Sequence, residues 1–217
     1  MVIDSKLFKK EGMELKMYGP VSLYNEKRKN RLPFVVFFHG VIQNLITTDN
    51  RGNQHIFDYD KIPGVGALLD KMSVEPFVLI VPSCPGYQWP FIFKEITTVI
   101  TEITATYPIE ISGSSIGTGL GASWMLHYSS FSDGLIQKSS LINPGNLDYL
   151  NSEKLAKEFS HFPIYIHHTL DNDDAKNSTE FRSSMMDHGK YDIFVDQFEV
   201  EEKEFLNTKI KQLNIFV

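Results

Sequence analysis

The sequence predicts an α/β protein, a three-layer sandwich in which a mainly parallel sheet has helices on both faces. Strand-like apolar runs alternate with helical segments along the chain, which is the pattern of a parallel sheet with crossover helices. Several of these runs, such as "LPFVVFFHG" (Leu32–Gly40), are apolar at nearly every position, as expected of strands covered on both sides. No repeat, low-complexity tract or Pro/Gly linker interrupts the 217 residues, so a single domain over 1–217 is expected.

The composition predicts a cytoplasmic protein that binds neither nucleic acid nor membrane. The net charge is −6, and the densest basic run, "NEKRKNR" (Asn25–Arg31), precedes a strand and is interpreted as a solvated hairpin turn. Cys84 is the single cysteine, which excludes an internal disulfide and a cysteine zinc cluster. The first residues lack the apolar core of a signal peptide, and no window approaches about 18 apolar residues.

The predicted strands are short runs rich in β-branched and aromatic residues. A pair of N-terminal strands is expected within "ELKMYGPVSLYNE", residues 14–26. The buried strands that follow are expected at Leu32–Gly40, Pro76–Gly86, Ile109–Ser114, Leu135–Gly145, Phe162–Asp171 and Tyr191–Phe198.

The predicted helices lie between these strands. In Phe91–Tyr107 the apolar residues fall at helical spacing although many are β-branched, and periodicity is given precedence over propensity. Asn177 with Glu180 three residues later marks a helix start, and Gly189 marks its end. The remaining helices are expected at Gly64–Ser73, from the glycine-rich segment to about Ser130, at Ser152–His161 and at Glu201–Phe216.

One segment carries a motif for nucleophilic catalysis. Gly113-Ser114-Ser115-Ile116-Gly117 matches G-x-S-x-G, directly after a predicted buried strand and directly before a predicted helix. A nucleophile elbow requires this context, because its serine occupies a strained turn at the end of a strand. The spacing favours Ser115 as a nucleophile. The alternative is that Gly117, Gly119 and Gly121 merely pack the helix tightly against the sheet.

A second strand end supplies the expected oxyanion hole. Acyl transfer needs backbone N–H donors aimed at the developing oxyanion. One is expected from Ile116, which follows the candidate nucleophile, and another from the loop at Gly40 and Val41, which follows the strand ending in His39.

These segments resemble the α/β-hydrolases, and most closely the serine esterases related to esterase D and the polyhydroxybutyrate depolymerases. The resemblance spans roughly Leu32 to Asp174 and rests on "VVFFHG", "VPSCPGYQW", "ISGSSIGTGLGA" and "PIYIHHTLDNDD". It implies an α/β-hydrolase-like domain, with Ser115 as nucleophile and Asp171 as the triad acid. Asp173 and Asp174 are the fallback acids. His168 stands where the family usually has glycine.

The catalytic histidine of the family is missing from its expected place after the last strand. The one histidine after Asp171 is His188, which lies before the predicted last strand. Seven or eight strand residues of about 3.3 Å each would hold it more than about 20 Å from the active-site edge. The family position is occupied by "EVEEKE", Glu199–Glu204, and a carboxylate is a poor base for a serine unless its pKa is strongly raised. His168 is retained as a weak candidate for the base.

Two functions therefore remain open. The first is a carboxylesterase-type serine hydrolase acting on a small acyl ester, without cofactor or metal. The second is a catalytically inactive protein of the same fold that binds a protein partner or serves in an assembly. The retained elbow motif favours the enzyme, and the missing histidine favours the inactive protein. His167 and His168 beside the acidic loop also suggest a metal site, but a solvated loop is preferred.

Overall fold

The computed structural model describes residues 1–10, 13–24, 30–84, 88–145, 147, 150–159, 163–169, 175–198 and 202–214. Its described strands are β1 (Ile3–Lys10), β2 (Met13–Pro20), β3 (Phe34–Phe38), β4 (Ile46–Thr48), β5 (Gln54–Ile56), β6 (Val78–Pro82), β7 (Gly113–Thr118), β8 (Ile136–Ile142), β9 (Ile164–Thr169) and β10 (Ile193–Phe198). Its described α-helices are α1 (Val65–Val74), α2 (Phe93–Thr106), α3 (Leu120–Phe131), α4 (Ser152–Glu158), α5 (Ala175–Asp187) and α6 (Glu202–Gln212).

Eight of these strands form one sheet in the order β1-β2-β6-β3-β7-β8-β9-β10. The pairs from β6 through β10 are parallel, whereas β1 and β2 join antiparallel at one edge. The predicted α/β class with a mainly parallel sheet is confirmed. The N-terminal strand pair predicted within residues 14–26 is wrong: β1 lies before that segment and pairs with β2, and Val21–Leu23 forms a 3₁₀ helix. The small hairpin β4–β5 was not predicted.

Strand β3 shows how the sheet divides the core into two layers. Phe34, Val36 and Phe38 pack with α2–α5 on one face, whereas Val35 and Phe37 pack with α1 and α6 on the other. All five side chains are fully buried. Successive strand residues point to opposite faces, so a strand apolar at every position fits only between two helical layers. The expectation of helices on both faces is confirmed.

The crossover pattern locates the edge at which a ligand site is expected. The chain passes from β3 to β6, which lies on one side of β3 in the sheet, and then to β7, which lies on the other side of β3. In such sheets ligands bind at the carboxyl ends of the strands where the order reverses. Here those ends belong to β3 and β7, and they are followed by Gly40 and Gly119.

A further predicted strand boundary is wrong, and this one affects the site. The third buried strand was expected at Ile109–Ser114, but β7 spans Gly113–Thr118. Ile109 makes only an isolated bridge to Leu32. Strand β3 pairs with β7 as far as Gly117, and β8 pairs with it as far as Thr118. Strand β7 therefore continues beyond Ser115, where the sequence predicts the turn.

Candidate functional site

The strand-to-helix turn after β7 is made by Gly119. Strand β7 ends at Thr118, α3 begins at Leu120, and Gly119 between them has φ 51° and ψ −130°. Residues with a side chain rarely adopt this backbone conformation, which glycine reaches without steric cost. The turn has the location of a nucleophile elbow, between a buried strand and a helix.

The glycines on either side of this turn are required by close approach of the backbone. A Cβ added at Gly117 would lie 2.5 Å from the Cα of Ala122, and one at Gly121 would lie 2.2 Å from the carbonyl oxygen of His39. At Gly119 the nearest atom to an added Cβ is the Cα of Gly40, at 3.8 Å. The segment Gly117–Gly121 therefore has the spacing of G-x-S-x-G, with glycine at the central position and room there for a side chain.

Ser115 does not lie in this turn, and its predicted place in the elbow is wrong. It is in the middle of β7, between Val36 of β3 and Ser139 of β8, and is 1% exposed. Its Oγ lies 2.9 Å from Ser139 Oγ and 3.4 Å from Ser129 Oγ. The three hydroxyls satisfy one another between the sheet and α3, which gives Ser115 a structural environment.

The structure does not bring the predicted oxyanion donors, Ile116 and the loop at Gly40 and Val41, together at one strand end. Ile116 is 1% exposed and is paired on both sides within the sheet, so its amide is not presented at the strand end. The Gly40 amide does lie at the carboxyl ends of β3 and β7, where it donates a 3.0 Å hydrogen bond to Thr118 Oγ1. Val41, the next residue, is exposed. In this turn the residue that follows the elbow position is Leu120, at the N-terminus of α3.

His39 shapes the loop after β3. It is fully buried, and its Nε2 accepts a 3.2 Å hydrogen bond from the Cys84 amide. Its Nδ1 therefore carries the proton and donates to the Gly40 carbonyl at 2.8 Å. Burial lowers the pKa of His39 to about 4, so the ring is neutral near pH 7. Both nitrogens are engaged in holding the β3 and β6 loops together.

Of the residues predicted as triad acid and base, the structure describes only the candidate base, His168. Asp171, Asp173 and Asp174 lie outside the described residues. His168 is fully buried, and its Nε2 lies 2.6 Å from the Oγ of Ser178 on α5. Burial lowers its pKa to about 4. With β8 between β7 and β9, and its Nε2 already bonded, His168 is a poor base for Ser115.

The position after the last strand contains no histidine. His188 follows α5, where its amide donates to the Met185 carbonyl, and it precedes β10 as the sequence predicted. Residues 199–201, which follow β10, lie outside the described part of the chain, and their sequence is Glu-Val-Glu.

Within the described residues, no group of three or more His, Cys, Asp or Glu side chains is arranged to hold a metal ion. None of the described helices is both long enough and apolar enough to span a membrane.

The buried histidines predict a loss of stability in mild acid. The pKa of His39 is lowered from 6.5 to about 4, so between these values the unfolded chain binds the proton that the folded chain excludes. The free energy of unfolding should therefore fall as the pH falls, by about 2 kcal/mol between pH 7 and pH 5 for this one group. Urea unfolding at the two pH values measures the change. In His39→Gln the decrease should be smaller by about that amount; an equal decrease in both proteins would contradict the assignment.

Comparison with known proteins supports the fold and no closer relationship. The chain matches no protein-family model and no curated protein sequence. It is similar to the solved structure of the fluorophosphonate-binding serine hydrolase F of Staphylococcus aureus, with a TM-score of 0.72 and 10% identity over 97% of this chain and 96% of that one.

Two further solved structures have the same architecture. An S-formylglutathione hydrolase of Staphylococcus aureus matches with a TM-score of 0.69 and 10% identity, over 97% of this chain and 94% of that one. An esterase of Rhizomucor miehei matches with a TM-score of 0.63 and 14% identity, over 97% of this chain and 82% of that one. Together with the parallel sheet and the turn at Gly119, these matches show that the chain has the α/β-hydrolase fold found in esterases and serine hydrolases.

Proposed function

We propose that this protein is a non-catalytic member of the α/β-hydrolase fold that acts by binding and does not hydrolyse esters through a serine. The supporting observation is Gly119, which occupies the strand-to-helix turn with φ 51° and ψ −130°. A serine held in such a conformation costs about 1–3 kcal/mol, a cost that an esterase recovers in catalysis. Glycine keeps the turn without that strain and without a nucleophile.

Two further features support the same proposal. No histidine follows His188 in the sequence, so the general base of the fold is absent from its position after β10. The serine that matches the motif, Ser115, is 1% exposed within the sheet. Removal of one triad member already reduces turnover by orders of magnitude, and here both nucleophile and base are lacking at their places in the fold.

A serine hydrolase acting on a small acyl ester is the second candidate, and the structural similarity to esterases favours it. It would require a nucleophile and a base at unusual positions. The catalytic set that the sequence suggests is Ser115 as nucleophile, Asp171 as acid and His168 as base. The burial of Ser115 argues against this set.

The two candidates differ in their reaction with a fluorophosphonate probe and with p-nitrophenyl acetate. We expect no labelling of the natural protein and no turnover above that of buffer, with an active esterase of the same fold tested in parallel. Labelling that disappears in Ser115→Ala would support the serine hydrolase. Labelling that persists in Ser115→Ala would place a reactive group elsewhere, and it would also overturn the non-catalytic proposal.

Gly119→Ser tests the interpretation of the turn. Since an added Cβ has its nearest neighbour at 3.8 Å, the variant should fold, with a free energy of unfolding lower by about 1–3 kcal/mol because of backbone strain. It should remain unlabelled, because the sequence has no histidine after β10 to activate the new hydroxyl. Thermal unfolding and probe labelling measure the two effects. Strong labelling of this variant would show that a functional base lies beside the turn.

A further inference from the structure

A cavity of about 190 Å³ lies on the α6 face of the sheet. Lys138 and Ser140 of β8, Tyr165 and His167 of β9, and Lys209 and Gln212 of α6 line it. Lys138 is paired with Ser114 of β7, five residues or about 16 Å before Gly119, whereas His167 is level with Ile142 of β8 and so with Thr118, two strands or about 10 Å away. The Gly119 turn leads into α3, which packs on the opposite face of the sheet from α6, so the cavity lies near the strand-end site but on the other face.

Two ammonium groups line this cavity. Lys138 is 7% exposed; its Nζ donates to the Asn214 carbonyl and lies 5.2 Å from the centre of the Tyr165 ring. Lys209 Nζ lies 3.9 Å from the centre of the Phe198 ring and 4.0 Å from the carboxylate of Asp196. Burial lowers the pKa of both lysines, which reflects incomplete solvation of their charges. Asp196, whose carboxylate lies beside Lys209, is half-exposed.

His167 adds an unsatisfied polar group to the cavity. It is 3% exposed, and within the described residues neither ring nitrogen makes a hydrogen bond. Asp196 Oδ2 lies 3.4 Å from Nδ1 without making a hydrogen bond. Burial lowers the pKa of His167 to about 3, so the ring is neutral and carries one N–H donor. Buried polar groups nearly always have a partner, and an unpartnered one that lines a cavity points to a bound molecule.

We propose that this cavity binds a small oxyanion, such as phosphate, sulfate or a short carboxylate. The two lysines would supply charge, and Ser140 and His167 would supply neutral donors at the cavity wall. The volume equals that of about six water molecules, which suits an ion of this size. The lysines act as point charges without a planar fork, so they accept tetrahedral and planar anions alike. The inference does not depend on whether the protein hydrolyses esters.

Isothermal titration of the full chain with sodium phosphate, sodium sulfate and sodium acetate, at constant ionic strength, tests the proposal. We expect saturable binding of at least one of these ions. Phosphate or sulfate without acetate would indicate a tetrahedral oxyanion, and acetate would indicate a carboxylate ligand. An equal response to sodium chloride, or no binding of any of the three ions, would overturn the proposal.

Three lysine variants locate the binding. Lys138→Gln and Lys209→Gln should each weaken it about tenfold or more, because each removes a charge-assisted hydrogen bond. Lys176→Gln, at a side chain that is 82% exposed on α5, serves as the matched control and should bind like the natural protein. If burial of Lys138 prevents its variant from folding, Lys209→Gln decides the question. Unchanged affinity in folded Lys209→Gln would place the ion elsewhere and contradict the proposal.

Discussion

Replacement of Gly121 by alanine is expected to lower the free energy of unfolding by about 3 kcal/mol. The added Cβ would lie 2.2 Å from the carbonyl oxygen of His39 and 2.5 Å from that of Phe38. Both are backbone atoms of the β3 end, so relief requires α3 to move away from the sheet. In a chain of 217 residues this loss corresponds to a decrease of about 6–12 °C in Tm.

Gly66→Ala is the matched control for that substitution. Gly66 lies in α1, where no atom outside its own helix would come within 4 Å of an added Cβ. Alanine favours the helix over glycine, so this variant should gain from a few tenths to about 1 kcal/mol. Two chemically identical changes should therefore shift Tm in opposite directions. A Gly121→Ala variant as stable as Gly66→Ala would show that α3 does not need its close contact with β3.

Replacement of Trp89 by alanine is expected to cost about 3–5 kcal/mol of unfolding free energy. Its side chain is fully buried, with the ring centre 4.9 Å from that of Phe38 and 5.0 Å from that of His39. The variant leaves a cavity over the carboxyl end of β3. Water entering there should also raise the pKa of His39 from about 4 toward 6.5, because burial is what lowers it.

Phe91→Ala, two residues along the same short helical turn, separates burial from aromatic character. Phe91 is 79% exposed, and its removal should change the free energy of unfolding by no more than about 0.5 kcal/mol. Urea unfolding of both variants measures the difference, and an NMR titration of His39 measures the pKa. Equal stability of the two variants, or an unchanged pKa in Trp89→Ala, would contradict the packing described here.

The α/β class could be predicted from local pattern because it depends on properties of single segments. Strand β3 is apolar at all five positions, and α2 shows helical spacing of its buried residues despite their β-branched side chains. The absence of a histidine after His188 is also a property of the sequence alone. From these features the fold could be predicted, and the sequence alone shows that no histidine follows His188.

The location of the turn could not be decided locally, since two overlapping glycine patterns compete for it. Gly113–Gly117 contains the serine, whereas Gly117–Gly121 matches the spacing with glycine in the middle. The pairing of β7 with β3 and β8 selects the second pattern, Gly117–Gly121. In that pairing Ser115 lies inside the sheet, between Val36 and Ser139. The glycine-rich start of α3 is a signal for this turn, but the pattern that contains a serine outweighs it in the sequence.

The cation-lined cavity under α6 was determined by the tertiary structure alone. Lys138, His167 and Lys209 are distant in sequence, and no sequence pattern connects His167 with either lysine. The order of β8, β9 and β10 and the docking of α6 bring them to one wall. The sequence by itself determined the alternation of strands and helices and the absence of a histidine after His188. Strand pairing and helix docking decided which side chains meet, because those contacts depend on residues far apart in the chain.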